Sequence, residues 1–353
     1  MTENTDQDVD FAALVERHRA ELHAHCYRML GSVYDADDAV QDTLIRAWRG
    51  AAGLRDGHAV RSWLYTIATN VCLTELRRRS RRGLPHDFSP AAEPHTPPGI
   101  PMAESVWIEP YPDSSLPPGK ASPEAAYDQR EAVELAFIAA LQHLNARQRA
   151  VLILRDVLGF SAAEAATCLS TTVASVNSGL QRARAAVGER VPQRTQQATV
   201  RALGDDALRG LVERYVAAWE TCDVAAFTAI LTEDVTFAMP PLATWYTPRT
   251  SVETWARESP LNGEWRWKVT LSSANAQPAL AFYAWDEAAR THLPFALNVL
   301  TLRGDRVCDV TAFIVRSTDA PDDGSYQRFP EQPMDQRSLS ATYERFGLPA
   351  RLD

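Results

Sequence analysis

A proline-rich stretch at residues 83–123 divides the chain into parts that we expect to fold separately. Eleven of the 22 prolines lie there, and the helical spacing of apolar residues stops where it begins and resumes where it ends. Proline fixes φ and cannot donate a backbone hydrogen bond, so such a dense run excludes a continuous helix or a central strand. The stretch predicts an extended linker without a packed core.

The apolar spacing on either side of this linker predicts a multidomain protein. Residues 10–82 and 124–191 carry apolar residues at intervals of three and four, which is typical of all-α domains. Residues 204–318 begin with helical patterns and continue as short alternating runs, which predict an α+β domain. Residues 319–353 are polar and contain proline, and they are predicted to form a loosely attached tail.

The α+β part is predicted to contain two helices, at residues 205–221 and 225–231, followed by an antiparallel meander. Gly304-Asp305 is a hairpin-turn signal between the last two strands. The predicted strands span residues 235–239, 265–272, 279–285, 295–303 and 306–315.

The composition is typical of a cytoplasmic protein that needs no metal or cofactor. The five cysteines are scattered without a CxxC pair, so we expect buried thiols rather than disulfides or a metal site. The apolar runs are too short for a membrane span, and the polar, acidic N-terminus does not resemble a secretory signal. The net charge is −9, but arginines cluster at residues 77–82 and recur between residues 147 and 190, which leaves local sites for DNA.

Residues 35–49, DADDAVQDTLIRAWR, predict an amphipathic helix with an acidic start. The helix dipole favours negative charge in the first turns, where the sequence places Asp35, Asp37, Asp38 and Asp42. The predicted apolar stripe consists of Val40, Leu44, Ile45 and Trp48. On composition alone, a solvated helix start explains this segment as well as a binding surface does.

Residues 61–82, RSWLYTIATNVCLTELRRRSRR, predict a helix that ends in a run of arginines. Its polar faces suit unpaired DNA, because bases stack on aromatic rings and phosphates attract arginines. The candidate side chains are Arg61, Tyr65, Asn70, Arg77 and Arg78. The simpler alternative is a helix with a basic C-terminal end, which is common.

Residues 144–187 have the spacing of a helix-turn-helix. Ser161 and Glu164 predict a capping box at the start of the first helix, and residues 173–184 are predicted to form the recognition helix. The expected core positions are Leu152, Val157, Phe160, Ala165, Ala166, Leu169, Val173, Val176 and Leu180. The candidates for contact with bases or phosphates are Thr172, Ser175, Asn177, Ser178, Gln181, Arg182 and Arg184. A generic helical hairpin is the alternative.

In this order, the three segments resemble the sigma-70 family, in its extracytoplasmic-function (ECF) group. Residues 35–49 resemble region 2.2, which implies docking on the β′ clamp helices of core RNA polymerase. Residues 61–82 resemble regions 2.3 and 2.4, which implies opening and reading of the −10 promoter element. Residues 144–187 resemble region 4, which implies reading of the −35 element and contact with the β flap. The linker, with WIEPYPD at residues 107–113, resembles that of a subgroup with a fused C-terminal domain.

The α+β part resembles the SnoaL-like domains, which have the fold of nuclear transport factor 2. The resemblance rests on Tyr215 and Trp219, on LTEDVTFAMPP at residues 231–241 and on the Trp245-Tyr246 pair. It departs from the family pattern at residues 247–249, where Thr-Pro-Arg replaces a Gly-Arg turn. The resemblance implies an apolar pocket for an unknown small molecule. The candidate lining residues are Met239, Trp245, Tyr246, Trp255, Trp267, Phe282, Trp285 and Phe295.

Some relatives of this domain are enzymes, so the sequence leaves two functions open. The candidate acid–base groups are Asp234, Asp286, Asp309 and His292, and none of them pairs at a dyad spacing. No GxSxG, HExxH or P-loop motif is present in the sequence. We therefore expect a built-in regulator and not an enzyme. The alternative is an active isomerase- or hydrolase-like domain fused to a DNA-binding unit.

Overall fold

The computed structural model describes residues 4–50, 60–97, 99, 106–117, 129–287, 289–315 and 342–353, with side chains from residue 16 onward. The chain forms two compact units. Unit 1 comprises residues 1–82 and 114–193, and unit 2 comprises residues 83–113 and 194–353. Within the described parts, every helix is too short or too polar to cross a membrane.

Unit 1 is built from helices. They are α1 (Asn4–Leu30), α2 (Val33–Gly50), α3 (Val60–Glu75), α4 (Leu135–Gln142), α5 (Ala146–Leu152), α6 (Ala162–Cys168) and α7 (Val173–Gly188). A short π-helical turn, Ile153–Val157, continues α5. Helices α1, α2 and α3 pack on one another, α5 and α6 pack on α7, and α3 also contacts α6.

Side-chain caps start the helices of the second half of this unit. Asn145, Ser161 and Thr172 accept hydrogen bonds from the backbone N–H groups three residues ahead, at the starts of α5, α6 and α7. The capping box of Ser161 and Glu164 is confirmed, with N···O distances of 3.2 and 2.7 Å. The caps fix where the two helices of the helix-turn-helix begin.

Parts of the predicted apolar pattern are wrong. Ile45 and Trp48 are 42% and 63% exposed, although both were expected in the buried stripe of α2. Ala36, Ala39, Thr43 and Ala47 instead line the buried face, since small residues allow α2 to approach its neighbours closely. In the helix-turn-helix, Val173 is exposed and Val157 is half-buried, while the other seven core positions are buried.

The two helical groups of unit 1 are joined by buried arginines. Arg149 is 3% exposed, and its guanidinium donates to the Met29 carbonyl and to Gln142 Oε1. Arg28 donates from Nε to the Ala132 carbonyl at 3.0 Å. Arg149 therefore satisfies buried backbone acceptors. It is not one of the arginines that could contact DNA.

Unit 2 contains a six-stranded sheet covered by helices. The strands are β1 (Leu231–Ala238), β2 (Trp245–Tyr246), β3 (Trp267–Ala274), β4 (Gln277–Asp286), β5 (Thr291–Arg303) and β6 (Arg306–Ile314), in the order β2-β1-β6-β5-β4-β3. The helices are α8 (Gln196–Leu203), α9 (Asp205–Glu220), α10 (Val224–Ala229) and α11 (Arg249–Glu258). The name α+β domain refers below to α9–α11 with the sheet.

The predicted α+β class is confirmed, but the simple meander is wrong. Strand β1 pairs with β6 in parallel, whereas β3, β4, β5 and β6 pair antiparallel in sequence order. The hairpin at Gly304 is confirmed, because φ is +64° there and Arg303 pairs with Arg306. Helix α11 and strand β2 were not predicted, because β2 has only two residues and the pattern of α11 is mostly polar.

The sequence suggested an extended linker without a packed core. The described part of the linker is packed instead. Trp107, Ile108 and Tyr111 are 7%, 0% and 0% exposed, and residues 83–113 belong to unit 2. The Tyr111 N–H donates to Asn275 Oδ1 at 2.9 Å, and the Asn275 N–H donates to the Tyr111 carbonyl at 2.8 Å. The prolines prevent long helices and strands, but Tyr111 is still buried and joined to Asn275 of the α+β domain, and the Trp107 ring packs edge-on against Phe88 of the linker at 5.3 Å.

The end of the predicted loose tail also packs on the sheet. Strand β5 has a bulge opposite Phe282, because Pro294 lacks the N–H that would continue the ladder. The Tyr343 hydroxyl lies 2.7 Å from the Phe282 carbonyl and 2.8 Å from the Ala296 carbonyl, and Tyr343 is 1% exposed. Residues 342–353 are therefore attached to the sheet.

Candidate functional site

The four acidic side chains of α2 have different surroundings. Asp35 is only 11% exposed, and its carboxylate accepts hydrogen bonds from Arg79 and, at 2.7 Å, from Arg82. Asp37 lies 3.1 Å from His23 Nε2. Asp35 thus holds the arginine run against α2, and its part in core docking stays a prediction.

Asp38 and Asp42 are exposed on the same face of α2 as Ile45. Together with Gln41 and Glu75, these three residues border a groove between α2 and α3. Trp48 continues the exposed surface toward the end of the helix. The face therefore combines carboxylates with large apolar side chains, and such surface patches are typical of protein-binding sites.

Tyr65, which was expected on a polar face of α3, is buried. It is 1% exposed, with the Phe160 ring edge-on at 5.6 Å and the His25 ring edge-on at 5.2 Å, centroid to centroid. Arg61 lies over the Tyr65 ring at 5.1 Å and donates to the Leu158 carbonyl at 3.4 Å. Burial raises the pKa of Tyr65 and lowers the pKa of His25 to about 3. No base can stack on Tyr65 in this arrangement.

The other candidates of this helix and the turn after it face solvent. Asn70 is exposed and donates from Nδ2 to the Thr66 carbonyl at 2.9 Å. Arg77 and Arg78 follow the end of α3 and are exposed, and Arg78 lies 3.9 Å from Glu75. These three residues can meet DNA without rearrangement.

The recognition helix α7 presents a polar, accessible surface. Ser175, Asn177, Ser178 and Gln181 are exposed. Thr172 is also exposed, but its hydroxyl oxygen accepts from the Ser175 N–H at 3.1 Å, so its first role is that of an N-cap. The buried side of α7 consists of Val176, Gly179, Leu180, Ala183 and Val187, which leaves the polar side facing outward.

The two arginines of α7 differ in their surroundings. Arg182 is exposed. Arg184 forms a bidentate ion pair with Asp156, with N···O distances of 2.8 and 2.7 Å, and this carboxylate raises the pKa of Arg184. Asn177, Gln181 and Arg184 line an open groove together with Arg155, which belongs to the arginines that recur between residues 147 and 190.

The interior of the α+β domain contains an apolar cavity. Its wall includes five of the eight predicted residues, namely Met239, Trp255, Trp267, Phe282 and Phe295. It also includes residues that the sequence analysis missed, among them Trp219, Phe237, Trp265, Asn298 and Ala312. The alternation of apolar residues along β1 and β6 could have indicated that Phe237 and Ala312 face the cavity. Asn298 is a polar residue in the apolar strand β5, so no pattern could have indicated it.

Three predicted pocket residues lie elsewhere. Trp245 donates from Nε1 to the Ser89 carbonyl at 2.9 Å, and the Tyr246 hydroxyl donates to the Thr96 carbonyl at 2.5 Å, so both hold the linker. The Trp285 ring packs against His292 at 5.1 Å. Alternation along β4 directs Trp285 away from the side that carries Phe282. Tyr246 is buried in the core and stacks on the wall residue Trp255, with ring centroids 5.2 Å apart, but does not itself line the cavity.

None of the four candidate acid–base groups lines this cavity. Asp234 is exposed and paired with Arg303, and Asp286 accepts from the Ala289 N–H at 2.6 Å. Asp309 accepts from the Thr236 and Thr311 hydroxyls, and burial raises its pKa. Among the described residues, no group of three or more His, Cys, Asp or Glu side chains could hold a metal ion.

Comparisons with known proteins agree with this arrangement of domains. The model of sigma-70 region 2 matches residues 14–82, that of sigma-70 region 4 matches residues 134–187, and that of the SnoaL-like domain matches residues 212–310. The ECF RNA polymerase sigma factor SigG of Mycobacterium tuberculosis is 42% identical over 317 residues, covering 86% of this chain and 81% of SigG. The chain belongs to the ECF sigma factors. Helices α1–α3 are therefore region 2 of this sigma factor, and α4–α7 form region 4.

One further relative supports the assignment, and one solved structure shares the fold. SigM of M. tuberculosis is 33% identical over 175 residues, covering 50% of this ECF sigma factor and 74% of SigM. The crystal structure of the M. tuberculosis ECF sigma factor SigJ matches with a TM-score of 0.54 and 21% identity, covering 87% of this chain and 95% of SigJ. The likeness to SigJ shows that the fold is shared over most of the chain.

Proposed function

We propose that this ECF sigma factor docks on the β′ clamp helices of core RNA polymerase through the exposed face of α2. The observation that carries this proposal is the combination of Asp38 and Asp42 with Ile45 and Trp48 on one accessible face. The carboxylates would steer and orient the encounter, and burial of the two apolar side chains would contribute affinity. Asp35 would support this face by holding Arg79 and Arg82. Removal of Asp38 and Asp42 tests the proposal by a binding measurement.

Region 4 is proposed to read the −35 element and to contact the β flap. Asn177 and Gln181 are exposed on α7 and bear the donor and acceptor pairs that recognise base edges. Ser175 and Ser178 can reach bases or phosphates, and Arg182 suits the phosphate backbone. Arg184 can keep Asp156 on Nε and Nη2 and still offer Nη1 to a phosphate.

Region 2 is proposed to capture the −10 element in two steps. Asn70, Arg77 and Arg78 are accessible at once, whereas Tyr65 and Arg61 are engaged by Phe160 and Leu158 of region 4. Tyr65 would become available for base stacking when region 4 leaves region 2. Promoter elements that lie well apart on DNA also require the two regions to separate.

The α+β domain is proposed to act in the cytoplasm as a built-in regulator and not as an enzyme. Two observations support this role. No candidate acid–base side chain lines its cavity, and the linker between region 2 and region 4 is hydrogen-bonded to the domain between Tyr111 and Asn275. A docked linker shortens the tether between the two DNA-binding regions and so restrains their separation. Transcription by core polymerase with a variant that releases the linker tests this role.

A further inference from the structure

The cavity of the α+β domain has polar atoms that the protein leaves without partners. Asn298 is 2% exposed, and its Nδ2 donates to the Tyr215 hydroxyl at 3.3 Å, while its Oδ1 has no hydrogen-bond partner within the described protein. Trp255 and Trp219 are 5% and 3% exposed, and the Nε1–H of each also lacks an acceptor there. All three residues contribute to the cavity wall. Buried polar groups are almost always satisfied, so the acceptor of Asn298 and the donors of Trp255 and Trp219 remain for an occupant.

The rest of the wall selects against charge. Of the described residues that line the cavity, none is Asp, Glu, Lys, Arg or His. Aromatic rings from Trp219, Trp267 and Phe282 surround the space, and the Trp219 and Phe282 rings pack edge-on at 4.8 Å. An ionised ligand would lose its hydration here without gaining a counter-charge, which strongly disfavours its binding. Flat, unsaturated rings match these walls, because aromatic groups stack and pack edge-to-face.

The size of the cavity limits the occupant. The empty space is about 500 Å³ when its open mouth is included, and the centre of a water molecule can move through about 50 Å³ of it. The narrow interior suits one or two rings better than a long polycyclic compound, and a two-ring ligand would extend into the open mouth. Phe295 and Trp265 pack edge-on at 5.4 Å and contribute to the same wall.

We propose that this cavity binds a small, neutral, one- or two-ring compound that carries one hydrogen-bond donor and one acceptor. The donor pairs with Asn298 Oδ1 and the acceptor pairs with Trp255 Nε1. The proposal that a ligand binds depends only on the cavity. Any effect of the ligand on transcription depends also on the regulatory role proposed above.

Calorimetric titration of the full-length chain with three probes of similar size tests the proposal. The probes are 7-hydroxy-1-tetralone, which has both polar groups, tetralin, which has neither, and 2-naphthoate, which is charged. The hydroxytetralone is expected to bind about tenfold more tightly than tetralin, as one or two buried hydrogen bonds allow, and naphthoate is expected not to bind. Equal affinity for all three probes, or no binding of either neutral probe, would overturn the proposal.

Three variants locate the binding. Asn298→Leu and Trp255→Phe should each reduce the preference for hydroxytetralone over tetralin about fivefold or more while tetralin still binds. Ala312→Phe fills the cavity and should abolish both. Leu271→Ala, at a residue 63% exposed on β3, is the control and should bind like the unchanged chain. Thermal melts identify variants that fail to fold, and an unchanged preference in both folded polar variants contradicts the assignment.

Transcription measured with and without hydroxytetralone separates this proposal from the regulatory role. Tight binding that depends on Asn298 but leaves transcription unchanged would reject ligand control and keep the binding site.

Discussion

Phe160 of region 4 packs edge-on against Tyr65 of region 2, with ring centroids 5.6 Å apart and ring planes at 78°. The guanidinium of Arg61 lies 5.1 Å from the Tyr65 centroid and 5.2 Å from the Phe160 centroid. One cluster therefore joins the two promoter-reading regions and covers an aromatic ring that we assign to the −10 element. The arrangement implies that promoter capture competes with contact between region 2 and region 4.

A double-mutant cycle should detect this contact. We expect Tyr65→Leu and Phe160→Leu to be coupled by about 0.5–1.5 kcal/mol in the free energy of unfolding, since each removes one ring of an edge-to-face pair. Urea unfolding of the two single variants and the double variant measures the coupling. Losses of stability that simply add would show that the rings do not interact in solution.

The exposed carboxylates of α2 should matter for core binding. Asp38→Ala with Asp42→Ala is expected to weaken the affinity for core RNA polymerase about tenfold or more, without loss of fold, because both side chains are exposed. The matched control is Asp205→Ala with Asp206→Ala, which removes the same charge from exposed positions of α9. If both double variants bind core polymerase with equal affinity, the docking face lies elsewhere.

Two kinds of substitution on α7 should have different effects. Asn177→Ala or Gln181→Ala should change the preferred −35 sequence, at a cost of about 1–3 kcal/mol for a good base contact. Arg182→Ala should weaken all promoters to a similar extent, since a phosphate contact carries no sequence information. Selection from a promoter library measures the preference, and identical profiles for all three variants would show that the assumed face of α7 is wrong.

Release of the linker should raise transcription. Asn275 has φ of +55° and its side chain accepts from the Tyr111 N–H, so Asn275→Gly removes the acceptor without straining the backbone. Loss of this buried hydrogen bond costs about 1–3 kcal/mol and favours the undocked linker. Ala276→Gly, at a neighbouring residue with the same φ, is the control. We expect several-fold more transcript from Asn275→Gly, whereas equal output from both variants would argue against restraint by the linker.

The sequence predicted the family, the fold class and the helix-turn-helix, because periodic spacing and caps are local signals. Ser161 and Glu164, for example, define a helix start without reference to the rest of the chain. Prediction from the sequence failed where distant parts of the chain meet. The spacing around Tyr65 could not show that Phe160 would cover it, and the prolines of the linker concealed the burial of Trp107 and Tyr111.

The prediction of the cavity residues was limited in the same way. Eight aromatic or Met residues were expected in the cavity, and five line it, because composition identifies apolar side chains but not the direction in which each points. Trp245 and Tyr246 bind the linker instead, and this contact could not be inferred while the linker was taken to be unpacked. Asn298 was missed because a single amide in an apolar strand has no motif.

The measurement that tests the central claim most directly is promoter-specific transcription in vitro by bacterial core RNA polymerase supplemented with the full-length chain. We predict transcripts that start downstream of paired −35 and −10 elements, that require the added chain, and that are lost when Asp38 and Asp42 are both replaced by alanine. Transcription that is no different with and without the chain, together with tight sequence-specific binding of the chain alone to duplex DNA at physiological salt, would contradict the account.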